Sequence, residues 1–145
     1  MFIGYSRSST LDQVASIEAQ QRDLEAAGCE KLFSEQVSSV DMARREQFER
    51  AVEFAREGDT LVVTKLDRLA RSSKHLMDIQ ERLSAKGVAL KVLDMGLDTN
   101  TAQGRMMMTV IGAMAQFERE VMLERQREGI AKAKAEGKYR GRKPT

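Results

Sequence analysis

The feature that restricts this chain most is its last third. From about Thr101 to Lys138 there is no proline, the single one being Pro144, and helix formers dominate. Thr99 or Thr101 can cap such a helix, and Gly137 can end it. Roughly 35 residues at about 1.5 Å each make a rod of about 50 Å. A compact chain of this length has a radius of gyration near ~15 Å, so the rod must leave the body it starts from.

The first half of that helix is apolar nearly all round, with Met106, Met107, Met108, Val110, Ile111, Ala113, Met114, Ala115 and Phe117. One face can pack on a body, and the other then needs a second partner. Met107, Val110, Met114, Phe117 and Val121 recur at three–four spacing, a helix–helix seam flanked by Met106 and Ile111. This predicts a dimer or higher oligomer. Past Phe117 the composition turns to charge, including Arg119 and Arg125, and these residues can pair at i,i+4 on a solvated face or lie along DNA phosphates as DNA-binding residues. From Lys132 to Lys143 six bases (Lys132, Lys134, Lys138, Arg140, Arg142, Lys143) face one acid, Glu136. The segment therefore carries +5 within a net +2, leaving −3 for the rest. A basic end on a mildly acidic body suits a nucleic-acid-binding arm, as it also suits a plain solvated terminus.

The body alternates. The apolar opening Phe2-Ile3-Gly4 runs into Tyr5-Ser6-Arg7-Ser8-Ser9-Thr10, a hydroxyl-rich turn at a strand end. Val14, Ile17, Gln21 and Leu24 form a helical stripe ending at Gly28. Residues 31–35 read as a strand and residues 36–44 as a polar loop. A helix follows with Phe48, Ala51, Val52 and Ala55 inward and Gly58 as its stop. Thr60-Leu61-Val62-Val63-Thr64 is β-branched and apolar enough to be buried on both faces. Ser72 or Ser73 can cap a helix carrying Leu76, Ile79 and Leu83, stopped by Gly87. Val88 to Leu93 is a further strand, and Met95 to Asp98 a short edge strand. The expected fold class is α/β: a doubly wound, mostly parallel sheet of about four parallel strands plus that edge strand. Helices cover both faces, and the long C-terminal helix follows.

Such sheets bind ligands beyond the carboxyl ends of their strands, where the stretch after Tyr5, the loop before Phe48 and the turn after Val63 all lie. If strand geometry persists through the first of these, Tyr5, Arg7 and Ser9 share a face, and Arg7 can grip an anion beside the Ser9 hydroxyl. Ser9 or Thr10 can equally well only cap a helix. In Lys65-Leu66-Asp67-Arg68-Leu69-Ala70-Arg71 a helical turn puts Arg68 and Arg71 on one face, with Asp67 and Arg71 at i,i+4. That is either a local ion pair or, with Arg7 and Arg45, a guanidinium cluster. Converging guanidiniums repel unless an anion sits among them, and their forks suit phosphate. Without DNA such a site should be open or partly disordered. A serine at the cluster's edge can attack phosphorus while the arginines stabilise its equatorial oxygens.

Other classes fare worse. One cysteine, Cys29, and one histidine, His75, expected as a solvated surface residue, argue against a zinc site or disulfide framework. No apolar run approaches a membrane span, and no signal peptide opens the chain, so a reducing cytoplasm is expected. A nucleotide hydrolase would call for a Gly-x-x-x-x-Gly-Lys loop, which is not found. A non-enzymatic, phosphate-binding α/β regulator that dimerises through its long helix is the alternative to an enzyme.

Tyr5-Ser6-Arg7-Ser8-Ser9-Thr10, Arg45 ahead of Phe48, Gly58-Asp59, residues 65–71, Phe117-Glu118-Arg119 and Glu124-Arg125 resemble, in order and across nearly the whole chain, the serine recombinases of the transposon resolvase and DNA invertase type. The resemblance implies DNA cleavage by transesterification with no cofactor, metal or nucleotide. It makes Ser9 the nucleophile and Arg7, Arg45, Arg68 and Arg71 the phosphate-binding set. Asp67 would position Arg71 or handle the leaving-group proton, and Gln20 would be a secondary contact. Where the family often has proline after the arginine matched to Arg45, Glu46 follows here, and Arg44 stands beside it as an alternative. The partners implied are double-stranded DNA at a crossover site, a homodimer and a synaptic homotetramer, in a bacterial cytoplasm at nucleoid or plasmid. Residues 1–100 would be the catalytic domain, 101–137 the dimerisation helix and 138–145 a basic arm. Family members normally continue into a helix-turn-helix domain, so the 145 residues are expected to be a catalytic fragment with poor site recognition.

Overall fold

The computed structural model describes residues 1–9, 14–37 and 45–136. Its elements are β1 (Phe2–Ser8), α1 (Val14–Ala26), β2 (Cys29–Gln36), α2 (Glu46–Phe54), β3 (Thr60–Val63), a 3₁₀ turn (Leu66–Arg68), α3 (Ser73–Ala85), β4 (Ala89–Val92), β5 (Leu97–Asp98) and α4 (Ala102–Ala135). The sheet runs β2-β1-β3-β4-β5, with β1 to β4 parallel and β5 antiparallel to β4. The expected architecture is observed.

Strand alternation distributes the side chains. Ile3, Tyr5, Leu61, Val63, Leu90 and Val92 join a core with Phe48, Ala51 and Val52 of α2, Leu76, Ile79 and Leu83 of α3, and Met108 of α4. Even-numbered positions of β1 face α1. A side chain at Gly4 would meet Leu24 and Leu32, and Ser6 Oγ lies 2.5 Å from Ser34 Oγ. Fully burying such side chains contributes about 1.5–3 kcal/mol apiece, which is why the inward stripes of α2 and α3 were legible as helices.

The caps separate the alternatives left open above. Ser72, not Ser73, caps α3, its hydroxyl accepting the His75 N–H. Thr101, not Thr99, caps α4 through the Gly104 N–H, while Thr99 turns its hydroxyl to the Leu90 N–H. Gly104 also brings α4 against β5: a Cβ there would stand 1.8 Å from the Asp98 carbonyl oxygen, so any side chain would push the helix off the sheet.

Two expectations are corrected. The Tyr5–Thr10 stretch is not a turn from its start, because β1 continues through Ser8. On α4, Met107 and Ile111, expected at the oligomer seam, pack against the core instead. The inward stripe runs Gly104, Met108 and Ala115, and β5 sets the rotation of the helix through the Gly104 contact. The outward stripe is Met106, Val110, Met114 and Phe117, 53–65 % exposed, continuing to the half-buried Val121. Among the described residues no helix is long and apolar enough to cross a membrane.

Candidate active site

The site begins where the sheet becomes uneven. β1 pairs with β2 as far as Ser8 opposite Gln36, but with β3 only as far as Gly4 opposite Val62. Beyond Gly4 the β3-facing edge of β1 is bare, at the point where strand order reverses, which is where such sheets take ligands. The main chain of Arg7 points to this edge. Gln20 closes it with one amide, its Oε1 accepting the Arg7 N–H at 3.2 Å and its Nε2 donating to the Arg7 carbonyl at 3.0 Å. Gln20, expected as a secondary contact, is buried and stands in for the missing strand.

Arg7 then reaches across to the segment after β3. Its Nη2 donates to the Asp67 carbonyl at 2.6 Å, its Nε to the Arg68 carbonyl at 3.3 Å, and its Nη1 to the Val37 carbonyl at 2.7 Å. Arg68 returns the contact, Nη1 donating to the Arg7 carbonyl at 3.3 Å. Arg45 donates from Nη1 to the Leu69 carbonyl at 2.7 Å and lies 4.2 Å from the Phe48 ring centroid. Main-chain carbonyls thus offset the mutual repulsion of Arg7, Arg45 and Arg68. The described part of the site is therefore gathered rather than open. Burial, with Arg68 and Arg45 nearby, holds the Arg7 guanidinium below its usual pKa, while Tyr5 opposes this. Ser9 is half-buried two residues past the carbonyl that Arg68 touches, within about 7 Å along the chain.

Arg71 departs from expectation. The helical turn ends as a 3₁₀ turn at Arg68, and α3 starts only at Ser73, so Arg68 and Arg71 do not share a helix face. The buried Leu69 and Ala70 are drawn into the core between them, and the Arg71 side chain is exposed. The ion pair that Asp67 makes is with Arg68, 3.9 Å away, and not with Arg71. Asp67 and Arg71 instead line a cavity of about 360 Å³ with Leu76, Met95, Ile111 and Met114, between the 3₁₀ turn, α3 and α4. Arg119, Arg125, Lys132 and Lys134 lie exposed along α4, with Lys132 4.0 Å from Glu136. Arg44, Lys138, Arg140, Arg142 and Lys143 fall outside the described residues.

Two residues that sequence reasoning left outside the site contact the segments that carry the arginines. Glu35 stands opposite Arg7 in the β1–β2 register. Its carboxylate accepts the Tyr5 hydroxyl at 2.6 Å and the Gln47 and Phe48 amides at 3.2 and 3.1 Å, capping α2 just after Arg45. Burial first, then this hydrogen bond, raises the Tyr5 phenol above its usual pKa. An acid closing a partly apolar strand was the only available signal. His75, expected in solvent, is half-buried and accepts the Arg71 N–H at Nδ1, 3.2 Å away. Its place three residues after a capping serine was the legible clue. Among the described residues no three His, Cys, Asp or Glu side chains converge as a metal set.

Fold and site together define an α/β domain that gathers guanidiniums beside a serine at the switch point of a parallel sheet. The family model "Resolvase, N terminal domain" matches residues 2–139, and the chain belongs to that family. It is 42% identical over 144 residues to the DNA-invertase of Escherichia phage P1, covering 99% of this chain and 76% of that one. It is likewise 42% identical to the transposon Tn1721 resolvase of Escherichia coli, covering 97% and 74%. The crystal structure of the N-terminal catalytic domain of TP901-1 integrase superposes with a TM-score of 0.66 at 26% identity, over 83% of this chain and 97% of that one. The activity is therefore that of a site-specific DNA recombinase, an enzyme that breaks and rejoins DNA. The non-enzymatic regulator is not favoured.

Proposed function

We propose that Ser9 is the nucleophile and that Arg7, Arg45, Arg68 and Arg71 bind the scissile phosphate. The Ser9 oxygen forms a bond to phosphorus as the bond to the 3′ oxygen breaks. The serine proton leaves, and the departing 3′ oxygen gains one, with the Asp67 carboxylate 3.9 Å from the Arg68 guanidinium. The products are a 5′-phosphoserine and a free 3′ hydroxyl. Rejoining is the same exchange in reverse, so the phosphodiester energy is kept and no nucleotide is consumed. The gathering of Arg7, Arg45 and Arg68 at the bare edge of β1, two residues from Ser9, carries this reading. An arriving phosphate takes over donors now given to main-chain carbonyls, and stabilises most when its charge is spread in the transition state. Trapping the protein on nicked duplex and mapping the linked peptide tests it. Phosphate ester on Ser9 is expected, and linkage at any other residue overturns the assignment.

Breakage is safe only while the ends stay held, which calls for more than one subunit. We read residues 1–100 as the catalytic unit, 101–137 as the association helix and 138–145 as a basic arm on DNA. The outward face of α4 (Met106, Val110, Met114, Phe117) is the dimer surface, and burying it contributes about 1.5–3 kcal/mol per side chain. Two dimers meet in a synaptic tetramer, cut all four strands and rotate before rejoining. Sedimentation at tens of micromolar should show a dimer or larger species, and Met114→Lys with Phe117→Glu should shift it to monomer. A monomeric parent would remove this part of the proposal.

A further inference from the structure

We propose that His75 positions Arg71 for strand cleavage, its neutral imidazole holding the Arg71 main chain by a hydrogen bond that protonation removes. The inference rests on the reading of Arg71 as a phosphate ligand. Ser72 caps α3 and accepts the His75 N–H at 3.1 Å, while His75 Nδ1 accepts the Arg71 N–H at 3.2 Å. The two contacts form a closed loop around residues 71–75, a histidine version of the reciprocal cap usually made by glutamate or glutamine. The Arg71 side chain makes no hydrogen bond or ion pair among the described residues. What the described residues fix is therefore where its main chain stands, and His75 supplies a hydrogen bond to that N–H.

The contact requires a particular protonation state. Nδ1 can accept only when its lone pair is free, which places the proton of the neutral ring on Nε2. The groups facing the imidazole are Arg45 from the start of α2, Arg71 from the segment before α3, and Asp78 one turn along α3. Burial, Arg45 and Arg71 favour the neutral ring against Asp78, so its pKa lies below the ordinary value of about 6.5. A proton added at Nδ1 both breaks the bond and places a cation beside two guanidiniums. The unfolded chain binds that proton more tightly. The contribution of His75 to stability is thus level above about pH 6.5 and is lost as the pH drops through the lowered folded value.

The test is single-turnover cleavage of nicked duplex between pH 5 and 8 by the full chain, with His75→Asn and His75→Ala beside it. Asparagine puts an oxygen acceptor near the place of Nδ1 and does not titrate. His75→Ala should slow cleavage roughly five- to tenfold at pH 7.5, as expected for one hydrogen bond, and His75→Asn should stay within about twofold of the parent. On acidification the parent should step down by that same factor while His75→Asn does not. In the parent, the Arg71 amide resonance should move with the imidazole titration. An acid step in His75→Asn equal to the parent's, or an Arg71 amide blind to that titration, overturns the proposal. Arg71→Ala separates the two readings. If it cleaves at the parental rate, Arg71 is not a phosphate ligand and the positioning role falls with it, whereas the amide titration reports on the His75 contact alone.

Discussion

Ser9→Ala should bind duplex DNA and self-associate as the parent does, yet form no covalent adduct, with cleavage reduced by at least about 10⁴-fold. The size of the loss follows from what alanine lacks. The guanidiniums can still hold phosphate, but no oxygen is left to form the bond to phosphorus, and water is neither oriented nor activated there. Ser9 is half-buried at the end of β1, and removing one oxygen there leaves the core residues of β1 (Ile3 and Tyr5) untouched. Stability should change by less than about 1 kcal/mol. Nicking of supercoiled plasmid, read beside a binding isotherm, separates chemistry from affinity. Parental cleavage by Ser9→Ala would sink the assigned chemistry, while loss of both activities together would mark a folding defect.

Arg7→Ala should cost on two counts. Arg7 is 6 % exposed, and its guanidinium satisfies the carbonyls of Val37, Asp67 and Arg68 at 2.7, 2.6 and 3.3 Å. Removing it leaves these acceptors without their charged donor and opens a void, which we expect to lower stability by about 2–4 kcal/mol in urea unfolding. In conditions where the variant is still folded, cleavage should fall by roughly 10²–10³-fold or more, the usual effect of removing a preorganised donor from a developing anion. Arg7→Lys should recover part of the stability and little of the rate, because a single ammonium cannot span three carbonyls or present a fork to phosphate. A folded Arg7→Ala protein cleaving within a few-fold of the parent would leave Arg7 with a structural role only.

Arg7 also shows why parts of the site could not be read ahead of the structure. Tyr5, Arg7 and Ser9 could be placed on one face by the period of two, and Arg68 could be placed after β3. That Arg7 would spend its guanidinium on main-chain carbonyls depends on the reach of β1 past β3, and no local pattern encodes that reach. Arg71 is a plainer case. The i,i+3 spacing with Arg68 assumed one helix, but burial of Leu69 and Ala70 ends the turn and starts α3 afresh at its Ser72 cap. Glu35 escaped notice because its partners, the amides at the start of α2, become neighbours only in the folded chain, whereas His75 was placed in solvent although its contact with the Arg71 N–H is local, four residues back.

Local composition alone determined the order of strands and helices, most of their stops, the length of α4, and the motif set that marks a recombinase. Each of these rests on interactions within a few residues: period, cap, turn and propensity. Tertiary structure decided which stripe of α4 turns inward, how the edge of β1 is closed by Gln20, and which arginines meet. Those outcomes depend on register between strands far apart in the chain, and on close approaches such as Gly104 against Asp98, where a single carbonyl sets how a 34-residue helix is seated.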